Sequence, residues 1–263
     1  RAAGTLLLPS EFIAVAEETG LIKELGAWAL NESLTTLRTW IDAGIVEPST
    51  TMSVNVSPRQ IADPRFTEVV REALDQAGLP AELLWLEITE TMMVEEPDLA
   101  GRTLRDVCDL GVRIALDDFG TGYSSLSLLQ RFPIQRIKID RAFVDGIADR
   151  PHDRSLVRTI ISMANSMTLD LVAEGIETVD QLQLLRELGC AKAQGYLISR
   201  PVPPDAIRTT VTAMREMTGL AMFQDGVPVG TPGDTVPAPG REPAPRGMSD
   251  PFGAFAPLPM AGL

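Results

Sequence analysis

Residues 112–126 read Val112-Arg113-Ile114-Ala115-Leu116-Asp117-Asp118-Phe119-Gly120-Thr121-Gly122-Tyr123-Ser124-Ser125-Leu126. The mostly apolar run 112–116 predicts a buried strand. Two adjacent carboxylates end it. A loop carrying Gly120, Thr121 and Gly122 follows, and Ser124 is placed to cap the next helix. Strand, polar tip, loop and helix make the repeating unit of a parallel α/β fold. In such folds the carboxyl ends of the strands build the functional site.

The same unit recurs on both sides of this stretch. Strand-like runs fall at 51–56, 84–88, 112–116, 134–139, 169–173 and 191–198. Helical patterns separate them, at about 66–76, 98–110, 124–131, 153–167 and 179–188. Two helices precede the first strand. One starts near Pro9 with Ser10 as its cap and stops near Gly20, and the other runs from about 25 to 43. A last helix follows Pro203-Pro204. Strands such as 169–173 are apolar at most positions, as expected of a sheet covered on both sides. Six units fit either an open doubly wound sheet or part of a closed α/β barrel. A closed barrel needs about eight strands. A start at Arg1 rather than Met suggests a fragment, with the first one or two barrel strands lying upstream.

Composition narrows the function. With 263 residues and 44% apolar content the chain can bury a sizeable core. A net charge of −13 argues against non-specific DNA or RNA binding. Cys108 and Cys190 lie far apart, which excludes a disulfide framework and suits a reducing, cytoplasmic setting. A single histidine, His152, in a polar stretch, makes a histidine-based metal site or triad improbable. No apolar run is long enough to span a membrane. From about Gly219 proline and glycine dominate and periodicity is lost. The expectation is one domain over 1–218 and a disordered tail over 219–263.

Polar residues gather at the strand tips. They are Asn55 on the first strand, Glu87 and then Glu90 on the second, and Asp117-Asp118 on the third. Lys138 and Asp140 follow on the fourth, Glu174 with Glu177 on the fifth, and Gln194 on the sixth. Any one could serve packing, but unpaired buried charges are costly. Six strands delivering such groups to one rim point to function. Carboxylates with one amide and no Cys or His form a hard oxygen site, suited to Mg²⁺ or Mn²⁺. Adjacent carboxylates can hold two ions ~4 Å apart, as in phosphoryl-transfer sites, with Lys138 orienting water or neutralising charge.

The motifs SVNVS, LEITE, DDFGTGYSSL, KIDRAFV, VAEGIET and QGYLISRP, over about residues 5–210, resemble the EAL-domain family of bacterial phosphodiesterases. Those enzymes cleave cyclic di-GMP to linear pGpG. The resemblance implies a TIM-like (β/α) barrel and a two-metal site. Asn55, Glu87 and Asp117 would bind one ion. Asp118 and Glu174 would help hold the other, with Asp117 bridging. Lys138 would contact the attacking water, Asp140 and Gln194 would support the metal and substrate shell, and Glu177 would anchor the glycine loop. Glu174 has also been viewed as a general base in the family. The namesake Glu-Ala-Leu motif falls before the Pro9–Ile13 region and is absent from this sequence. A non-catalytic cyclic-di-GMP receptor or regulatory module is therefore the alternative. The family also suggests homodimers and an upstream sensory or GGDEF domain.

Overall fold

A computed structural model describes residues 7–95, 97–120 and 126–224. Strands β1 (Met52–Asn55), β2 (Leu84–Thr89), β3 (Arg113–Phe119), β4 (Arg136–Ile139) and β5 (Asp170–Ala173) form one sheet. Their spatial order is their chain order, and each neighbouring pair is parallel. A doubly wound sheet reverses its order at a switch point. This one advances in a single sense, which is barrel winding, so the open-sheet alternative falls.

Helices carry the chain back between strands. They are Phe66–Ala77, Pro97–Asp109, Leu126–Arg131 and Pro151–Ser166, with Val179–Glu187 after β5. Side chains alternate across each strand and sort the sheet into two unlike faces. Leu84, Leu86 and Ile88 of β2, Ile114 and Leu116 of β3, and Ile137 and Ile139 of β4 join the helices in the apolar core. The intervening residues point the other way and are largely polar: Trp85 and Glu87, Arg113 and Asp117, Arg136 and Lys138. Runs that look uniformly apolar thus bury one hydrophobic face, while the opposite face encloses charge.

Four expectations change. Ser10 is not the first helix's cap. Pro9 occupies its first turn, where a missing N–H costs nothing, and Glu11 accepts the Leu8 N–H at 2.6 Å. The second helix, Ile22–Asp42, starts three residues earlier than its pattern suggested. The run 191–198 is not a strand. Only Ala193 bridges to Ala173, and the chain then turns at Gly195. A side chain at Gly195 would meet the Ile176 backbone at 2.2 Å, so close backbone packing replaces the ladder there. The last helix, Ile207–Gln224, runs past the expected boundary at 218. Residues 225–263, the rest of the expected tail, lie outside the described residues.

Candidate metal centre

Adjacent strand residues point to opposite faces, so Asp117 and Asp118 should diverge. A bulge prevents that. Leu116 lies opposite Ile137 but Phe119 opposite Ile139, so β3 takes three steps against two on β4. Asp118 absorbs the extra residue at φ +53°, a left-handed conformation that costs a non-glycine residue about 1–2 kcal/mol. The Asp118 N–H donates to Asp117 Oδ1 at 3.1 Å and steadies the kink. Both carboxylates then converge with that of Glu174, which follows β5 directly. One oxygen from each lies within 4.8 Å of the other two.

Lys138 sits beneath this cluster, 5% exposed. Its Nζ lies 2.5 Å from Glu87 Oε2, 3.0 Å from Asp117 Oδ1 and 2.6 Å from Glu174 Oε1. Burial opposes the ammonium charge, but Glu87, Glu174 and Asp117 outweigh it and hold the lysine protonated, its pKa raised. One cation cannot satisfy all the carboxylates around it. Burial, then repulsion from Asp117 and Glu87, pushes Glu174 up to about 7 despite the lysine. Asp118 rises to about 6 through burial, the Asp117 charge and a hydrogen bond with Asp140. Excess negative charge held on oxygen donors is what a divalent cation would relieve.

A pH dependence follows. In its folded state Glu174 binds protons more tightly than at its ordinary 4.5. Its stabilising contribution is full below about 4.5 and is lost as pH rises through about 7. The shift corresponds to something on the order of 3 kcal/mol. Denaturant titrations in chelating buffer should show stability falling across this window. Glu174→Gln should flatten the fall, and an equal slope in that variant would remove Glu174 as its source.

Other rim residues take different places. Asn55 ends β1, exposed, opposite Glu87 in register. Asp140 caps the short helix Arg141–Val144 by accepting the Ala142 N–H at 2.7 Å. Its hydrogen bond to Asp118 joins it to the cluster. Gln194 is exposed, and its backbone bonds to Ala173 and Ile176 hold the segment after β5. Glu177 pairs with Arg141 at 2.8 Å. Among the described residues, the Gly120 amide at the loop's start is held by Glu90, and residues 121–125, on which the expected anchoring by Glu177 would act, lie outside them. Buried at the end of β2, Glu90 accepts the Gly120 N–H at 2.9 Å. The sequence placed Glu90 at the rim without a role. Its signal was position alone, directly after the strand. Thr121 and Gly122 lie outside the described residues.

Comparison with known proteins bears on this geometry. A protein-family model described as EAL domain matches residues 1–201. Signaling protein YkoW of Bacillus subtilis is 41% identical over 202 residues, covering 77% of this chain and 25% of that protein. The bifunctional diguanylate cyclase/cyclic di-GMP phosphodiesterase MucR of Pseudomonas aeruginosa is 38% identical over 206 residues, covering 78% and 30%. The chain thus spans about a quarter to a third of the length of the curated relatives it matches. The solved structure of the PaMucR phosphodiesterase, c-di-GMP complex, superposes with a TM-score of 0.74 at 37% identity. It covers 79% of this chain and 83% of that one.

Proposed function

The chain belongs to the EAL-domain family, and from that premise we propose that its acidic rim hydrolyses cyclic di-GMP to linear pGpG. The observation that carries this is the convergence of Asp117, Asp118 and Glu174 above Lys138. Glu87, Asp117, Asp118, Asp140 and Glu174 oppose a single ammonium. Fully ionised, the group carries four excess negative charges, which two divalent cations would balance. The donors are all hard oxygens, which fits Mg²⁺ or Mn²⁺. Asn55, Glu87 and Asp117 would hold one ion, and Asp118 and Glu174 the other, with Asp140 supporting Asp118. Such ions lower the pKa of water and neutralise charge that builds on a phosphodiester during in-line displacement.

The chain's own groups do the rest. Lys138 donates from its fixed ammonium to orient the attacking water and to offset charge on the phosphoryl oxygens. Glu174, beside Lys138 and the Asp117–Asp118 pair, is the carboxylate placed to take that water's proton. The water oxygen bonds to phosphorus, the bond to the 3′ oxygen breaks, and a proton goes to that leaving oxygen. Glu90 keeps the start of the glycine loop in place beside Asp118. Gln194 and Glu177, on the segment after β5, would border the substrate.

The pairing of a diguanylate cyclase with a cyclic-di-GMP phosphodiesterase in MucR supports a setting in which this domain works beside a diguanylate cyclase or GGDEF domain. A homodimer and a cytoplasmic location belong to the same proposal. No described helix is long and apolar enough to cross a membrane. The test is incubation with cyclic di-GMP and Mg²⁺ or Mn²⁺, with products separated by chromatography. The expected result is pGpG formation that stops on chelation. Tight nucleotide binding without turnover would favour the receptor reading instead.

A further inference from the structure

One storey below the acidic rim, the enclosed face of the sheet carries a second charged layer. Trp85 precedes Glu87 by two residues on β2, and Arg136 precedes Lys138 by two on β4. Each therefore lies about 7 Å down its strand from the rim, on the same face. The Arg136 guanidinium stacks on the Trp85 ring, 3.6 Å from its centroid. It also grips Asp170 of β5 through Nε at 2.9 Å and a terminal nitrogen at 2.7 Å. Lys192 holds the same Asp170 oxygen at 2.6 Å. Trp85 and Arg136 are 3% and 5% exposed, so this layer is part of the interior. Burial works against the Asp170 charge, yet Lys192 and Arg136 hold its carboxyl below the ordinary carboxylate range.

The two layers share one plan. Lys138 joins Glu87 of β2 to Glu174 at the end of β5. Beneath it, Arg136 joins Trp85 of β2 to Asp170 at the start of β5. No backbone ladder links β2 to β4, because β3 lies between them. The Arg136 contacts therefore add a side-chain link among β2, β4 and β5 on the enclosed face, beyond the ladders that run through β3. A planar guanidinium can stack and bind a carboxylate at once, which an ammonium cannot match. Cation–π contacts and charge-assisted hydrogen bonds are both strengthened by exclusion of water.

We propose that Arg136, clamped by Trp85 and Asp170, is a positioning residue for the metal centre. It fixes the spacing of Glu87 and Glu174, the carboxylates around Lys138 that would hold divalent ions. The inference rests on the metal-dependent reading above, but its primary readout is metal affinity rather than turnover. Groups that orient metal ligands from behind are worth about 10–100-fold in affinity.

The test is Mn²⁺ titration by calorimetry of the unsubstituted chain and of Arg136→Met, Arg136→Lys and Asp170→Asn, with folding checked by circular dichroism. Arg136→Met is expected to weaken Mn²⁺ binding about tenfold. Arg136→Lys should recover part of that loss. In turnover assays the half-saturating Mn²⁺ concentration should rise while KM for the dinucleotide holds. A partly unfolded sample would lower the active fraction without moving either constant. Should Arg136→Met fail to fold, Asp170→Asn releases the clamp without opening a void. Unchanged Mn²⁺ affinity in a folded Arg136→Met or Asp170→Asn chain overturns the proposal. Normal Mn²⁺ binding by the unsubstituted chain without hydrolysis of cyclic di-GMP would overturn the proposed activity and leave this inference standing.

Discussion

Asp117→Asn is expected to abolish the proposed cyclic-di-GMP hydrolysis yet to stabilise the metal-free chain at neutral pH. The two halves of this result have one cause. Asp117 faces Lys138 at 3.0 Å, sits within 4.8 Å of the Asp118 and Glu174 oxygens, and raises the pKa of both those carboxyls. An amide keeps the shape and can still accept the Asp118 N–H, but it removes the charge. Repulsion within the cluster falls, so the apo fold gains. The site loses the charge that attracts divalent ions, so turnover falls by more than the roughly 100-fold that supporting groups alone can cost. Thermal unfolding with and without Mg²⁺ reads both effects. In the unsubstituted chain, metal at 100 times its Kd should add about 2.7 kcal/mol of stability. In Asp117→Asn that increment should shrink sharply. Full turnover by the variant would remove the metal reading of the rim.

Lys138→Met should have the opposite sign. Methionine preserves most of the side-chain volume but leaves Glu87, Asp117 and Glu174 without their shared cation. Removing one partner from a buried charge network typically costs about 3–5 kcal/mol. The loss should be smaller at pH 5 than at pH 8, because protonation of the carboxylates relieves the repulsion that the lysine had countered. Mg²⁺ or Mn²⁺ should restore part of the stability and little of the turnover, since no residue remains to orient the attacking water. Chemical denaturation at the two pH values, with and without metal, measures all of this. A metal-free variant as stable as the parent at pH 8 would show that the lysine does not hold the cluster together.

Opposite signs from two residues in contact are informative. Packing alone would make both substitutions harmful. Only an excess of negative charge around one buried ammonium predicts that removing a carboxylate helps the apo fold and removing the lysine hurts it.

How much of this was legible in the chain follows from which interactions are local. Recurrent strand–helix units predicted a parallel α/β fold because periodicity is a local property, and five of six strand-like runs are strands. The sixth, 191–198, failed because Gly195 packs against the Ile176 backbone, a contact between distant parts of the chain. Single or doubly wound order was likewise undecided until the register was known. Positive φ at a bulge is often announced by glycine, but here it falls on Asp118, so nothing in the residue order marked it. Glu90, thirty residues before Gly120, accepts that residue's amide, a long-range contact that no local pattern announces.

The sequence by itself determined the chemistry of the rim. Asn55, Glu87, Asp117, Asp118, Lys138 and Glu174 are oxygen donors with one ammonium, whatever the fold does with them, and residue type sets which ions they suit. Only the tertiary structure decided which of them meet. A bulge in β3 turned two adjacent aspartates toward one point. Strand order brought β2, β4 and β5 side chains together across an interior that no local pattern describes. Charges that the sequence merely contains become coupled when burial removes the water between them, and that coupling makes Lys138 the centre of the site.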